Sequence, residues 1–211
     1  MSVTFDRDCR RCKRLATFLD DVKAKHPDYY CRPVPPFGDA AAKLLVVGLA
    51  PGMHGANATG RPFTGDHAGI LLYETLHRFG FASAAESVAV DDELELINCR
   101  ISNAVKCLPP DNKPVGAEVN ECNRFLAAEL NSLADDAVIL ALGGVAHRAV
   151  MKALGRRQAE AKFGHAAEFR IGRFWLLDSY HCSRYNTNTG RLTGDMFNAV
   201  FARARELVDS K

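Results

Sequence analysis

The stretch Leu44 to Gly80, LLVVGLAPGMHGANATGRPFTGDHAGILLYETLHRFG, decides the fold that we predict for this chain. It begins with an apolar run, Leu44 to Val47, that has the length and β-branched content of a buried strand. A long loop rich in Gly, Asn and Thr follows and ends at Asp66, a candidate N-cap for a helix. The apolar positions of that helix are Ile70, Leu72, Tyr73 and Leu76. A strand, a glycine-rich loop and a helix place a ligand at the carboxyl end of a sheet, so we expect the functional site in this loop.

The alternation of strands and helices continues along the chain, which favours an α/β fold. The predicted strands are Leu94–Ile101, Ala137–Leu142, and a hairpin of 169–171 with 174–178; the predicted helices are Gly116–Leu133, Ala146–Leu154 and a C-terminal helix with a stripe of Phe197, Val200, Phe201, Ala204, Leu207 and Val208. The polar segment Arg184–Thr193 reads as a loop. We therefore expect one domain over residues 1–211, with a central, mostly parallel sheet flanked by helices.

Composition narrows the class of protein. The chain has 211 residues, of which 47% are hydrophobic and 25% charged, the ordinary balance of a globular domain. The net charge of +2 is too small to indicate a nucleic-acid partner by itself. No apolar run is long enough for a membrane helix, and the polar N-terminus does not resemble a secretory signal. We expect a cytoplasmic protein.

Seven cysteines in such a chain do not indicate a set of disulfides. Cys9 and Cys12 form a Cys-x2-Cys pair at the start of a predicted helix, and Cys107 and Cys122 flank the start of another. These four thiols could converge on a structural zinc or an iron–sulfur cluster, or they could remain unligated. Cys99 alternates along a predicted strand and is interpreted as a core thiol.

Three stretches, GLAPGMHGANATGRPFTGD, NAVKCLPPDNKP and HCSRYNTNTGRLT, together resemble the motifs of the uracil-DNA glycosylase superfamily. The resemblance is to its iron–sulfur-containing family 5, the B-type uracil-DNA glycosylases, and runs from Cys9 to about Thr193. It implies a monomeric, monofunctional glycosylase that hydrolyses the N-glycosidic bond of uracil in DNA, the first step of base excision repair. Other deaminated bases, such as hypoxanthine, are expected substrates as well.

The resemblance also implies roles for individual residues. Phe63 would stack on the extruded base, Asn103 would bind the uracil edge, and His181 would approach the uracil carbonyl. Asp66 would orient water or stabilise the sugar cation, because Ala50 stands where many relatives carry a polar side chain. The [4Fe–4S] ligands would be Cys9, Cys12, Cys107 and Cys122, and the cluster would be structural. Gly48 would complete the base pocket, and the expected DNA contacts are Gly52, His54, Asn57, Ser183, Arg184, Asn186, Thr187 and Arg191.

Other interpretations of the same residues stay open. Asp66 by its position caps a helix, and His147 in the first turn of another helix favours a structural role. The third motif has Cys182 where this family usually has proline, which loosens the loop expected to press into DNA. A binding module that keeps the fold and the cluster but lacks catalysis is the alternative function.

Overall fold

The computed structural model describes residues 4–210 of the chain. Six strands and seven α-helices are the regular elements of this part. The strands are β1 (Phe37–Gly38), β2 (Leu44–Gly48), β3 (Cys99–Asn103), β4 (Val138–Leu142), β5 (Glu168–Ile171) and β6 (Phe174–Ser179); the helices are α1 (Lys13–Lys25), α2 (Ala56–Thr59), α3 (His67–Arg78), α4 (Gly116–Ser132), α5 (Gly144–Ala153), α6 (Arg184–Asn188) and α7 (Gly194–Asp209). Between residues 4 and 210, no helix is both long and apolar enough to cross a bilayer.

The strands form one mixed sheet in the order β1-β3-β2-β4-β6-β5. The four inner strands run parallel, and the two edge strands, β1 and β5, run antiparallel to their neighbours. The prediction of a mostly parallel sheet in an α/β fold is therefore confirmed. The parallel strands all end at one edge, where Gly48 of β2 lies opposite Asn103 of β3.

Helices cover both faces of this sheet. Alternate residues of β2 point to opposite faces, as the pleat of a strand requires. Leu44 and Val46 belong to a core shared with α3 and α7, and Leu45 and Val47 belong to a core shared with α4 and α5. All six apolar residues predicted for the stripe of the C-terminal helix are buried.

Four local predictions need correction. The strand predicted from Leu94 begins only at Cys99, since Asn98 has φ +50° and breaks the extended backbone. Ile70 is 66% exposed, so the buried stripe of α3 starts after it. The loops after β2 and β6 each contain a short helix, α2 and α6, that their polar sequences did not indicate.

Candidate active site

A cavity of about 430 Å³ opens at the carboxyl ends of the four parallel strands. Each of these strands contributes to its wall, either by its last residues or by the loop that follows. The wall comprises Leu49, Ala50, Gly52, Ala56, Phe63, Asp66, His67, Ala68, Asn103, Asn112, Leu142, Gly143, Gly144, Val145, His181, Ser183 and Arg184. Ligands of open parallel sheets bind at this edge, and a volume of this order suits a small organic group.

Phe63 forms an aromatic wall of the cavity, next to His181. The two rings stack with centroids 5.9 Å apart and an interplanar angle of 28°. Phe63 has φ +57°, a conformation that is strained for a bulky side chain. The strand leaves room for its ring only because residue 48 is glycine: a Cβ there would lie 2.6 Å from Phe63 Cζ. Gly48 therefore shapes the cavity although it does not line it.

Asn103 ends β3 at the bottom of the cavity and is only 3% exposed. Its Oδ1 atom has no hydrogen-bond partner among the described residues. A Cβ on Gly48 would collide with that same oxygen. Buried amide groups in proteins are almost always paired, so an unpaired one on a cavity wall is available to a ligand.

Asp66 lies on the wall at the start of α3. Its Oδ1 accepts a hydrogen bond of 2.8 Å from the backbone N–H of Gly69, which confirms that it caps the helix. Burial raises the pKa of the carboxyl group, and the hydrogen bonds from Gly69 and Ala68 only partly oppose this effect. Gly55 packs directly against the carboxylate, because a Cβ there would lie 2.7 Å from Oδ2. The carboxylate thus caps the helix and faces the cavity at once.

His181 follows β6, and burial lowers the pKa of its imidazole to about 4. The ring is therefore neutral near pH 7, and its Nδ1 has no partner within residues 4–210. The loop after it is held by Asn186, whose Nδ2 donates to the His181 carbonyl oxygen at 2.8 Å. Ser183 caps α6 by accepting from the N–H of Asn186. These bonds order the loop, and the side chain of Cys182 within it is fully buried.

The residues predicted to contact DNA fall into three groups. Gly52, Ser183 and Arg184 line the cavity. His54 is exposed, and its Nδ1 pairs with the hydroxyl of Tyr29 at 2.7 Å. Asn186 and Thr187 bond to the backbone of their own loop, and Arg191 stacks on the ring of Tyr180.

The prediction for Asn57 needs correction. This side chain is completely buried in α2, and its Nδ2 donates to Cys31 Sγ at 3.4 Å. It is not among the residues of the cavity wall, and its burial keeps it from a DNA backbone. His147, in contrast, lies as interpreted, in the interior: its Nδ1 pairs with Asp178 Oδ1 at 2.8 Å and its Nε2 with the Ala161 carbonyl at 2.9 Å.

Two parts of the wall escaped the sequence analysis. The first turn of α5 presents Gly144 and Val145 to the cavity, after Gly143 with φ +94°. The pair of glycines after the buried strand AVILAL was the available signal. Asn112 is the second, in a segment where Asp111 and Asn112 both have positive φ. The motif NAVKCLPPDNKP contains it, but its polar sequence does not show which side chain reaches the cavity.

The four cysteines of the predicted cluster lie around a second, much smaller cavity. The backbone N–H of Lys106 donates to Cys122 Sγ at 3.3 Å, and Arg124 Nη2 donates to Cys9 Sγ at 3.8 Å. Burial raises the pKa of Cys107, and the nearby thiolates of Cys122, Cys9 and Cys12 raise it further. The four thiols thus line one small cavity.

The arrangement of the four cysteine side chains is relevant to whether they could hold a metal ion or an iron–sulfur cluster. Within residues 4–210 no three or more His, Cys, Asp or Glu side chains lie close enough together to hold a single metal ion. A [4Fe–4S] cluster binds each of its four thiolates through a different iron and so needs a wider cage than one zinc does. Donors aimed at the sulfur atoms are a further feature of such cages. Four cysteine thiols around one cavity are the donor chemistry that an iron–sulfur cluster takes.

The sequence of this chain matches a known protein family and several of its members. The family model of the uracil DNA glycosylase superfamily matches residues 35–205. The Type-5 uracil-DNA glycosylase of Thermus thermophilus is 44% identical over 94% of this chain and 93% of its own length. The Type-5 enzyme of Pyrobaculum aerophilum is 42% identical over 93% and 88%, and that of Mycobacterium tuberculosis 40% over 94% and 78%. A Type-4 uracil-DNA glycosylase of Pyrobaculum aerophilum is 36% identical over 59% of this chain.

Proposed function

Because this chain belongs to the uracil DNA glycosylase superfamily, we propose that the cavity at the sheet edge receives a base extruded from DNA and that its wall hydrolyses the N-glycosidic bond. The chain is a uracil-DNA glycosylase, a DNA-repair hydrolase of N-glycosyl bonds, as its Type-5 relatives are named. One observation carries the assignment of the site: Asp66, Asn103 and His181 come from three distant segments and meet on one cavity.

Two residues of the cavity wall, Phe63 and Asn103, hold the base. An enzyme that acts on a base must first take it out of the stack, at a cost of a few kcal/mol. Phe63 offers an aromatic surface to the extruded base, and the unpaired amide of Asn103 offers hydrogen bonds to its edge. Ala50 contributes only a methyl group to the wall, so no polar side chain at that position restricts the base. We propose that hypoxanthine enters the same cavity.

The N-glycosidic bond is broken because wall residues stabilise the charge that develops on the base and on the sugar. As the bond lengthens, negative charge collects on the base and positive charge on the sugar. The neutral imidazole of His181 donates an N–H to the base carbonyl, where such a donor contributes about 3 kcal/mol. Asp66, ionised, stabilises the sugar cation and accepts a proton from the attacking water, whose oxygen bonds to C1′. The departing base anion takes up a proton from solvent water, Asp66 returns its proton to solvent, and an abasic site remains.

DNA is held by backbone groups and by few charges. The first turn of α5 presents free N–H groups and the positive end of the helix dipole to the cavity, where a phosphate binds well. Arg184 and Ser183 line the same cavity. With a net charge of +2 we expect modest nonspecific affinity and a shallow dependence on salt.

The cysteine set holds a [4Fe–4S] cluster in this proposal. Cys9 and Cys12 at the start of α1 and Cys107 and Cys122 around α4 would be the ligands. The cluster pins the N-terminal segment to the middle of the chain and supplies no step of the reaction. A lyase step is not expected, since no lysine is among the residues that line the cavity in the described chain. We further propose a monomer that acts in the cytoplasm, in keeping with seven free thiols.

The proposal is tested with duplexes that carry one uracil or one hypoxanthine opposite a normal base. Alkali cleaves the strand wherever the enzyme has left an abasic site. We expect cleavage at both bases by the wild-type enzyme and a loss of about 10²-fold or more in Asn103→Ala. Cleavage at uracil alone would restrict the function to that base, and equal rates in Asn103→Ala would remove Asn103 from base recognition.

A further inference from the structure

Lys106 is a lysine in the protein interior that the proposed reaction does not use. It is only 1% exposed and does not line the base cavity. Its Nζ donates to Glu129 Oε1 at 2.6 Å and also to the hydroxyl oxygen of Ser102. Glu129 is itself buried, at 9% exposed. A buried ion pair of this kind contributes little to net stability compared with apolar side chains of the same size, so its value lies in the geometry that it imposes.

The hydrogen bonds of Lys106 flank Asn103, the residue proposed to bind the edge of the base. Ser102, which its ammonium holds, directly precedes Asn103 in β3, so the segment 102–106 forms a closed loop around Asn103. The other backbone bonds of this segment run from Ala104 N–H to the Gly48 carbonyl, from Val105 N–H to the Leu49 carbonyl, and from Val34 N–H to the Lys106 carbonyl. The side chain of Lys106 adds a bond from this segment to Glu129.

The same residue ties this loop to α4. Glu129 lies on α4 two turns after Cys122, and the backbone N–H of Lys106 donates to Cys122 Sγ at 3.3 Å. Asn103 has no such support of its own, because its Oδ1 meets no partner among residues 4–210. The orientation of its amide therefore depends on the backbone that carries it.

We propose that Lys106 is a positioning residue for base recognition: through Ser102 and Glu129 it holds the end of β3 against α4, and so aims the amide of Asn103 into the cavity. The proposal rests on the proposed function, since it takes Asn103 as the residue that binds the base edge. It predicts that the buried charges can be removed without loss of folding but not without loss of selectivity.

The test uses the double variant Lys106→Met/Glu129→Leu, which removes both charges together. The single change Lys106→Met leaves Glu129 buried without a partner and is expected to destabilise the fold strongly, whereas the double change removes that penalty. The readout is binding to a duplex with 2′-fluoro-deoxyuridine, a nucleotide that resists hydrolysis, relative to the same duplex with thymidine. Thermal unfolding and the visible absorption report the fold and the cluster.

We expect the double variant to have the same unfolding temperature as the wild-type protein. Its affinity for the 2′-fluoro-deoxyuridine duplex, relative to the thymidine duplex, should fall about tenfold. In an Asn103→Ala background the same double change should have no further effect on that ratio, because Lys106 acts through Asn103. An unchanged ratio in the folded double variant, or an equal further loss in the Asn103→Ala background, would overturn the proposal. A wild-type enzyme that did not prefer the uracil analogue would instead contradict the proposed function itself.

Discussion

The ring of Phe63 lies on the imidazole of His181, with centroids 5.9 Å apart, although the two residues follow different strands, β2 and β6, that are separated by β4. Phe63 adopts its positive φ at the end of the glycine-rich loop, and His181 follows the last parallel strand. Their contact joins the first and third sequence motifs into one wall. Packing of this wall leaves no side-chain space at Gly48, and that restriction gives the first prediction.

Gly48→Ala should abolish base binding without unfolding the sheet. The new methyl group would lie 2.6 Å from Phe63 Cζ and against the Oδ1 of Asn103, so both side chains must leave their positions. We expect uracil release to fall by about 10²-fold or more. The matched control is Gly116→Ala, where a Cβ meets nothing within 4 Å. Single-turnover rates that stayed equal in the two variants would contradict this account of the cavity.

The pH dependence of activity should follow Asp66 and not His181. Burial raises the pKa of Asp66 above its ordinary 3.8 and lowers that of His181 from 6.5 to about 4. As pH falls from 8, His181 thus stays neutral through pH 6.5, and activity declines only when Asp66 becomes protonated. The measurement is kcat/KM for a uracil duplex against pH. A step centred at pH 6.5 that disappeared in His181→Asn would show an ordinary, exposed histidine instead.

The cysteine set should be distinguishable from ordinary core thiols. Cys107→Ser removes a proposed ligand, and Cys99→Ser changes a fully buried thiol that lies outside the set. We expect protein purified without air to be brown, with broad absorption near ~400 nm. We expect Cys107→Ser to lose that colour, and Cys99→Ser to keep it although its buried hydroxyl destabilises the core. A colourless wild-type protein that contained zinc would refute the cluster.

Asn186 should support catalysis through the His181 loop. Its Nδ2 donates to the His181 carbonyl at 2.8 Å, whereas the neighbouring Asn188 is exposed. Asn186→Ala should lower kcat by about tenfold, because the loop that positions the imidazole loses its bond. KM for the duplex should change little, and Asn188→Ala should leave both constants unchanged. A rise in KM with kcat intact would make Asn186 a DNA contact, as its sequence position predicts.

Much of the fold could be predicted because periodicity is local. The buried runs Leu44–Val47 and Ala137–Leu142 and the stripe of α7 are visible in the sequence, and the structure confirms them. The strand predicted from Leu94 started too early because alternation does not reveal the positive φ of Asn98. The short helices α2 and α6 depend on caps and contacts that an amphipathic pattern does not show.

The site was predictable to the extent that short motifs specify it. The structure brings Asp66, Asn103 and His181 to one cavity, as the three motifs together indicated. It buries Asn57, which lies in the same motif as Asp66, because the turn of α2 directs that side chain toward Cys31. The α5 terminus was missed since it meets the cavity with Gly143, Gly144 and Val145, which carry no polar side chain. Such a terminus has no residue signature beyond Gly143 and Gly144.

The most direct test of the central claim is the single-turnover rate of uracil release by Asp66→Asn. Asparagine caps helices as well as aspartate does, so α3 should remain folded while the negative charge is lost. The control Asp91→Asn removes an equal charge from an exposed position outside the cavity. We predict a loss of about 10² to 10⁴-fold for Asp66→Asn and no change for Asp91→Asn. A wild-type rate in a folded Asp66→Asn variant would contradict the assignment of Asp66 to the chemical step.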